Sequence, residues 1–495
     1  MTETLARPAH HRRPQSLLHE VVELRSSIRA EAQRKLAHWG PLQRRAFRLS
    51  AANFAAYLAF RRRDLRRLQL DLMPFGLSSF GRSEARVFPS LDAVISSLTA
   101  IGGGTPHYPH ARSFFRGERL LRRNRNEIFG AEPEGRQTRI MVTLPSEAAS
   151  EPLLLQRLIA AGTDCVRINC AHDDAAAWKA MAANARNAAA QTGRPCTVCF
   201  DLAGPKVRTQ DVLVPGDAHR VRLGDRILFV DRLDPASTEF PVQFTGSIPA
   251  ALAQLETGTP VWINDGKIGC TVEERSRSRA VLRVTHARPK GETLKAEKGL
   301  NFPTLALGTS SLTADDEAAL EEIAPLADLI GYSFVREPQD VERLQQTLRE
   351  LDPARPPVPL VLKIETAQAV RNLPELIVAS ARSNPTAVMI ARGDLAVEIE
   401  YRRLAEIQEE MLWICEAAHI PVVWATEVLD RFIKDGKPSR AEFTDAAASE
   451  RADCVMLNKG PFVVEAVEVL SDVLHRMEAH QSKKTHLLRA LKSWS

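Results

Sequence analysis

Aromatic side chains make up only 6% of this 495-residue chain, and cysteine occurs just seven times. An odd number of scattered cysteines excludes a disulfide framework and points to a reducing, cytoplasmic setting. Cys196 and Cys199 do form a C-x-x-C, but it lies in Cys196-Thr-Val-Cys-Phe-Asp-Leu202, a run that reads as a buried strand. Strand geometry turns those two side chains to opposite faces, so a shared metal is not expected. Long apolar runs are missing too. The longest, residues 51–60, is half of the ~20 residues a bilayer requires and is followed at once by Arg61, Arg62 and Arg63. The first fifteen residues hold Arg and His but no apolar stretch of signal-peptide type. No membrane partner is expected. Nor is there a large excess of one charge, since the formal net charge is +5.

What is present is ample apolar material, 44% of residues, in a chain long enough for two or three domains. Charge is unevenly spread: residues 1–135 hold 23 basic and 12 acidic side chains, a balance of +11 against −6 for the remainder. That split marks a separate unit and predicts that it docks on the more acidic rest. Residues 16–72 read as helical throughout, with Phe54, Tyr57, Leu58, Leu65, Leu68 and Leu72 along one face. Arg61, Arg62, Arg63, Arg66 and Arg67 lie opposite. Without interleaved stacking aromatics they read as a solvated face, or one docked on an acidic neighbour; no nucleic-acid partner is expected. Gly102-Gly-Gly-Thr-Pro-His-Tyr-Pro109 is a loop that ends or subdivides this region.

From Thr138 onward, short β-branched runs alternate with amphipathic segments. Strand runs fall at 139–144, 165–169, 197–202, 329–333, 360–364, 388–392, 421–426 and 454–457. Helical patterns at 152–161, 175–190, 338–351, 366–380, 403–418 and 463–480 follow most of them. Eight such units predict an α/β fold, a (β/α)8 TIM barrel. Between Pro205 and Leu300 the strand runs 221–230, 240–244, 261–263, 268–273 and 281–284 come without helices, and Asn264-Asp-Gly266 signals a hairpin. The layout expected is a helical N-terminal extension (1–135), the barrel (136–204 and 301–480), an inserted small all-β, barrel-like lid (205–300) hinged near Pro205 and Lys298, and a basic tail (481–495).

In a barrel, polar residues at the C-terminal strand ends read as the active site. Those ends carry Arg167 and Asn169, Asp201, Ser333, Lys363 and Glu365, Arg392 and Asp394, and Thr426. Two Arg, a Lys and three carboxylates suit an anionic substrate beside a divalent metal. Glu365 and Asp394 offer hard oxygen ligands for Mg2+ (or Mn2+). Lys363 is two residues from Glu365 on the same strand. Gly393 lets the backbone approach a ligand, and the segment after it can present helix N-terminal amides.

In chain order these residues resemble the pyruvate kinase family. The similar stretches are Val166-Arg-Ile-Asn-Cys-Ala-His172, Asp201-Leu-Ala-Gly-Pro-Lys-Val-Arg-Thr209, Asn264-Asp-Gly-Lys267, Lys298-Gly-Leu-Asn-Phe-Pro303 and Ser333-Phe-Val-Arg336. Leu362-Lys-Ile-Glu-Thr366, Met389-Ile-Ala-Arg-Gly-Asp-Leu395, Ala425-Thr426 and Lys437-Pro-Ser-Arg-Ala-Glu442 follow. The likeness runs from about Gln137 onward, and the family too has a β-lid after its third barrel strand. It implies phosphoryl transfer from phosphoenolpyruvate to ADP, yielding pyruvate and ATP. Glu365 and Asp394 would hold Mg2+, and Lys363 would neutralise the phosphoryl oxygens. Arg167 and Arg208 would grip phosphates; Asn169, Asp201, His172 and Lys298 would line the nucleotide and phosphate pocket. Thr426 stands where the family positions the proton donor for the enolate. The amides around Arg392, Gly393 and Asp394, with Ser333 nearby, would take the substrate.

The departures carry information. The family's Thr-Ile-Gly-Pro-Ala-Ser appears as Thr143-Leu-Pro-Ser-Glu-Ala148, which alters the nucleotide side at Pro145 and Ser146. Its Asn-Phe-Ser-His is Asn169-Cys-Ala-His172, and its Ser-Gly-Glu-Thr-Ala is Asn458-Lys-Gly-Pro-Phe462. The chain stops soon after the 463–480 helix, so no counterpart of the family's C-terminal regulatory domain is expected. Many relatives need K+. Here Ala171 removes an oxygen ligand, Leu202 replaces a Thr, and Lys206 puts a tethered ammonium where a Glu stood, so K+ independence is expected. Two other readings stay open: a metal-dependent lyase handling pyruvate-like acids, and an inactive relative used as a regulatory module. Self-association into a homo-oligomer is also open.

Overall fold

The computed structural model describes residues 12–486, apart from 78, 217–218, 304, 306–307 and 484. β1 (Arg139–Thr143), β2 (Cys165–Asn169) and β3 (Thr197–Asp201) alternate with the helices Pro152–Ala161 and Ala175–Thr192. The chain then leaves through β4 (Thr209–Leu213), β5 (Arg226–Val230), β6 (Gln243–Gly246), β7 (Pro260–Ile263), β8 (Ile268–Arg275), β9 (Arg279–His286) and β10 (Leu300–Asn301). It returns as β11 (Leu329–Tyr332), β12 (Leu360–Ile364), β13 (Thr386–Ala391), β14 (Val422–Ala425) and β15 (Cys454–Leu457). β1–β3 and β11–β15 close into an eight-stranded parallel barrel, in which β1 pairs with both β2 and β15. This is the (β/α)8 barrel expected from the alternation of strands and helices.

Helices cover the outside of the barrel, so the strands are buried on both faces and read as continuous apolar runs. Met141, Cys165, Cys199, Leu329, Val361 and Met389 point inward as an apolar floor. A strand's side chains repeat every two residues. Two steps up from Cys165, Cys199 and Val361 therefore stand Arg167, Asp201 and Lys363, facing the same interior one layer higher. Gly331 has the matching place on β11, and a Cβ there would meet Asp201 Oδ1 at 2.3 Å. Only glycine leaves room for that carboxylate.

The inserted segment forms one seven-stranded sheet, ordered β10-β7-β8-β9-β5-β6-β4, over its own apolar core. Asn264, Asp265 and Gly266 all have positive φ and join β7 to β8, with Ile263 opposite Ile268. The short helix Pro249–Gln254 departs from the all-β expectation, and β4 is a strand outside the expected runs because its sequence is too polar to stand out. Elsewhere, the helical pattern at 366–380 breaks into Ala367–Arg371 and Leu373–Ala381, because Pro374 opens a new helix at its first turn. The helix Ala314–Ile323 was not anticipated, although Thr313 and Asp316 form a reciprocal capping box at its start.

The extension is not one continuous helix over 16–72. It forms Pro14–Trp39, Arg48–Arg61 and Arg66–Leu72, broken at Gly40-Pro41 and again around Asp64. The glycine-rich loop subdivides the region, since the helices Val87–Ile101 and Arg116–Phe129 flank it. Among the described residues, nine of its arginines pair with acids of the extension itself, including Arg62 and Arg63 on Glu31, Arg25 on Asp92 and Arg86 on Glu118. Arg125–Asp453 is the ion pair that crosses to the barrel among the described residues. Opposite charge therefore does little of the docking. Apolar packing and hydrogen bonds do more. Asn53 Nδ2 donates to the Ala417 carbonyl at 2.8 Å, and Arg61 lies over the Trp413 ring at 4.8 Å. Ile128 and Phe129 close the bottom of the barrel, in one cluster with its apolar floor. Of the predicted tail, residues up to 486 are described; Gln481–Ser482 and Thr485–His486 pair as a small hairpin. No helix among the described residues is long and apolar enough to cross a membrane.

Candidate active site

Five inward side chains, Arg167, Asp201, Ser333, Lys363 and Glu365, meet at the C-terminal mouth of the barrel. Lys363 Nζ donates to Ser333 Oγ at 2.6 Å and lies 3.1 Å from Asp201 Oδ2 and 3.3 Å from Glu365 Oε1. Arg167 Nε donates to the same Asp201 oxygen at 2.7 Å, its Nη2 closes a second contact there, and Nη1 reaches Thr143 Oγ1 at 3.0 Å. All of this is buried: Asp201 is 1% exposed, Glu365 3% and Lys363 8%. Burial alone would lower the pKa of Lys363, but Asp201 and Glu365 outweigh it and hold the ammonium charged. Burial would raise Asp201; Arg167 and Lys363 outweigh that and keep it ionised. Glu365 goes the other way, pushed up by burial and by Asp394 against the pull of Lys363.

Asp394 sits in the first turn of the helix Arg392–Ile399, directly after β13. Lys206, from the segment leaving β3, lies 2.8 and 3.0 Å from its two oxygens, and Asn301 Nδ2 donates to it at 3.3 Å. Lys206 also comes within 3.6 Å of Asp265 on the lid hairpin. It is thus an ion-paired side chain joining lid and barrel. Its place is on Asp394, and among the described residues its ion pairs are with Asp394 and Asp265.

Thr426 has φ 66°, a left-handed backbone that is strained for a β-branched residue. Its hydroxyl donates to the Ala425 carbonyl at 2.7 Å and accepts from the Gly393 amide at 2.9 Å. The Arg392 guanidinium is not aimed at the mouth. It binds Asp445 through Nη1 at 2.5 Å and Nη2 at 2.8 Å, donates to the carbonyls of Ala425 and Thr426, and covers the Trp424 ring. The expected nucleotide side is more open. His172 is exposed, with its pKa lowered by burial and by the charges of Lys459 and Arg208. Asn169 accepts the Ala171 amide and so holds its own turn. Arg208 stands at the base of the lid near the Glu297 carbonyl, and Lys298 lines a separate polar recess there with Lys267 and Lys295.

The structure therefore brings together Arg167, Ser333, Lys363, Glu365, Asp394, Lys206, Gly393 and Thr426. It leaves His172, Arg208 and Lys298 at the rim. Sequence reasoning missed Thr143, Asn301, Asp445, Lys459 and Glu398; the last is pushed up to about 7 by burial and by Asp394. Thr143 could have been found from its inward parity with Met141, and Glu398 from its place one turn after Asp394 on the helix Arg392–Ile399; the others come from elements distant in sequence. The donor set suits a hard divalent cation. Two carboxylates face the mouth, and the buried Asp201 Oδ1 and Asn301 Oδ1 have no partner. Among the described residues no cluster of three or more His, Cys, Asp or Glu could hold a metal by itself. Hard oxygens of this kind suit Mg2+, which keeps further positions for water and substrate oxygens.

Fold and mouth together define a lidded (β/α)8 barrel able to hold an anion beside a divalent cation. Comparison with known proteins narrows this. The family described as pyruvate kinase, barrel domain, matches residues 135–467. Pyruvate kinase 2 of Synechocystis is 30% identical over 359 residues, which cover 70% of this chain and 57% of that protein. The pyruvate kinase of Methylorubrum extorquens is 32% identical over 350 residues, 69% of either chain. That of Bacillus licheniformis is 29% identical over 350 residues, 69% of this chain and 57% of the relative. The chain belongs to the pyruvate kinase family. It spans 57% of the length of the Synechocystis and Bacillus proteins.

Proposed function

We propose that this protein transfers the phosphoryl group of phosphoenolpyruvate to ADP, giving pyruvate and ATP. The observation that carries the reading is the buried polar layer above the apolar floor, in which Lys363 is shared by Asp201, Ser333 and Glu365. In the reaction the bond from phosphorus to the enol oxygen breaks and one to a β-phosphate oxygen of ADP forms. The enolate left behind is protonated at its methylene carbon. Lys363 and Arg167, fixed beforehand by Asp201, neutralise charge on the moving phosphoryl oxygens without reorganising. Glu365 and Asp394 would hold Mg2+ (or Mn2+), which when bound draws charge from substrate oxygens. The substrate carboxylate takes the Gly393 amide from Thr426, and the freed hydroxyl orients the water that delivers the proton. Arg208, His172, Asn169 and Lys298 form the nucleotide side. A coupled assay with phosphoenolpyruvate, ADP and Mg2+ tests the reading, and absence of pyruvate formation by folded protein refutes it.

K+ is not required in this scheme. Lys206 already supplies a positive charge held on Asp394, and Ala171 has no side-chain oxygen to offer a monovalent cation. The enzyme should run at full rate with tetramethylammonium as the only monovalent cation, and Lys206→Glu should slow it sharply. A rate that is near zero without K+ and rises many-fold with KCl would refute this part alone.

A further inference from the structure

A second cavity, of about 640 Å3, lies at the opposite end of the barrel, where the extension meets the floor. That volume is within the range of small-molecule sites. Three parts of the chain wall it: the extension at 82–90 and along Arg116–Phe129, the barrel floor at Thr138 and Glu450, and the hairpin after the last helix through Lys483. Six cations line it, Arg82, Arg86, Arg119, Arg122, Arg125 and Lys483, against three glutamates. Some are committed. Arg86 pairs with Glu118 and lies over the Phe114 ring; Lys483 donates to Asp453 at 2.7 Å. Arg82 and Arg122 are exposed, and neither side chain has a hydrogen bond or ion pair among the described residues.

Buried polar atoms in the same walls are also unsatisfied. Ser90 Oγ and Arg125 Nε have no partner, although Ser90 is 1% exposed and Arg125 5%. A buried donor without an acceptor is costly, and such an atom on a cavity wall calls for a ligand oxygen. Glu450 Oε2 is unpartnered there too. Burial pushes that carboxyl up to about 7, so near neutrality much of it is protonated and donates to an acceptor. Guanidinium groups are well matched to phosphate oxygens. A concave site walled on three sides excludes a nucleic-acid duplex.

We propose that this cavity binds a phosphate monoester of a small metabolite, from a sugar or a nucleoside, with Arg82 and Arg122 as its recognition cations. The bound ester touches extension, barrel and hairpin at once, so it fastens the extension to the catalytic barrel. Melting of the full chain with inorganic phosphate, glucose 6-phosphate and AMP tests this. At least one ester should raise Tm by about 2 °C or more. The Arg82→Glu/Arg122→Glu double variant, which alters exposed and unpaired residues, should weaken that ester at least tenfold in calorimetric titration and melt like wild type without it. Arg208→Ala, at the other end of the barrel, should retain the shift. A response to glucose 6-phosphate alone assigns a sugar source, and one to AMP alone a nucleoside source; either supports the site. No shift with either ester up to about 10 mM, an unchanged affinity in the double variant, or loss of the shift in Arg208→Ala would overturn it. An equal shift with inorganic phosphate would overturn the monoester assignment.

Discussion

Acid should undo the docking of the extension through one histidine. His419 follows the helix Tyr401–Ala417 and is 2% exposed, with Nδ1 2.9 Å from Ser50 Oγ and Nε2 3.1 Å from the Ala85 carbonyl. A carbonyl only accepts, so Nε2 carries the hydrogen and Nδ1 accepts from Ser50. Burial lowers the pKa from 6.5 to about 4, with the Ala85 carbonyl opposing it. The sign follows from where protons bind. Below pH 6.5 the unfolded chain takes up a proton that the folded chain refuses until about pH 4. The stabilisation is therefore complete above 6.5 and is lost as pH falls from there to 4, an amount of about 3 kcal/mol. Urea unfolding at about pH 7.5 and 4.5 reads it. His419→Gln, neutral at both values, costs stability at either pH but should lose about 2–3 kcal/mol less than wild type between them. The wild-type extension should also become cleavable by protease at the lower pH. Equal losses in the two proteins would refute the reasoning.

Other perturbations separate the roles of neighbouring groups. Lys363→Met leaves Glu365 buried beside only the Phe334 amide and should lower the coupled rate by ~10²–10³ while costing about 2–4 kcal/mol of stability. Mg2+-dependent enolisation of pyruvate should partly survive that substitution; its complete loss in folded protein would mean that the ammonium also positions metal or substrate. Asp445→Ala frees the Arg392 guanidinium from its two contacts and loosens the turn carrying Gly393 and Asp394, so KM for phosphoenolpyruvate should rise about tenfold; an unchanged KM would show that the turn holds itself. Glu450, with a folded pKa of about 7 against 4.5 unfolded, costs stability as pH rises through that window. Glu450→Gln should therefore be about 2 kcal/mol more stable than wild type at pH 8, with the gain vanishing near pH 4.5; a gain independent of pH would contradict the assignment.

The barrel was legible because its strands are buried on both sides. Runs such as 165–169, 360–364 and 454–457 match β2, β12 and β15 to the residue, since β-branched content and flanking helices leave little choice. The inward set Arg167, Asp201 and Lys363 was equally accessible, because period two carries each from an apolar residue on the floor. What could not be read was pairing across distance. That Arg392 spends its charge on Asp445, 53 positions on, depends on where the helix Arg440–Ala448 lands. The stretch 16–72, expected to be helical throughout, is largely so, but Gly40-Pro41 breaks it for a local reason that the apolar periodicity from Phe54 to Leu72 does not reach. The charge imbalance of the extension misled because its own glutamates and aspartates take up nine of its arginines, and among the described residues one ion pair, Arg125–Asp453, reaches the barrel.

The plug formed by Ile128 and Phe129 has a consequence for how the chain is made. These two side chains reach their place only in a closed barrel, and closure needs β15, whose last residue is Leu457. On a ribosome they emerge early, and β15 follows roughly 15–65 s later at 5–20 residues per second. Through that interval two large apolar groups and the unfinished strands β1–β3 cannot find their final burial. A nascent chain of this design is therefore a natural client for chaperones, and its N-terminal region must wait for the end of synthesis to become part of the core it seals.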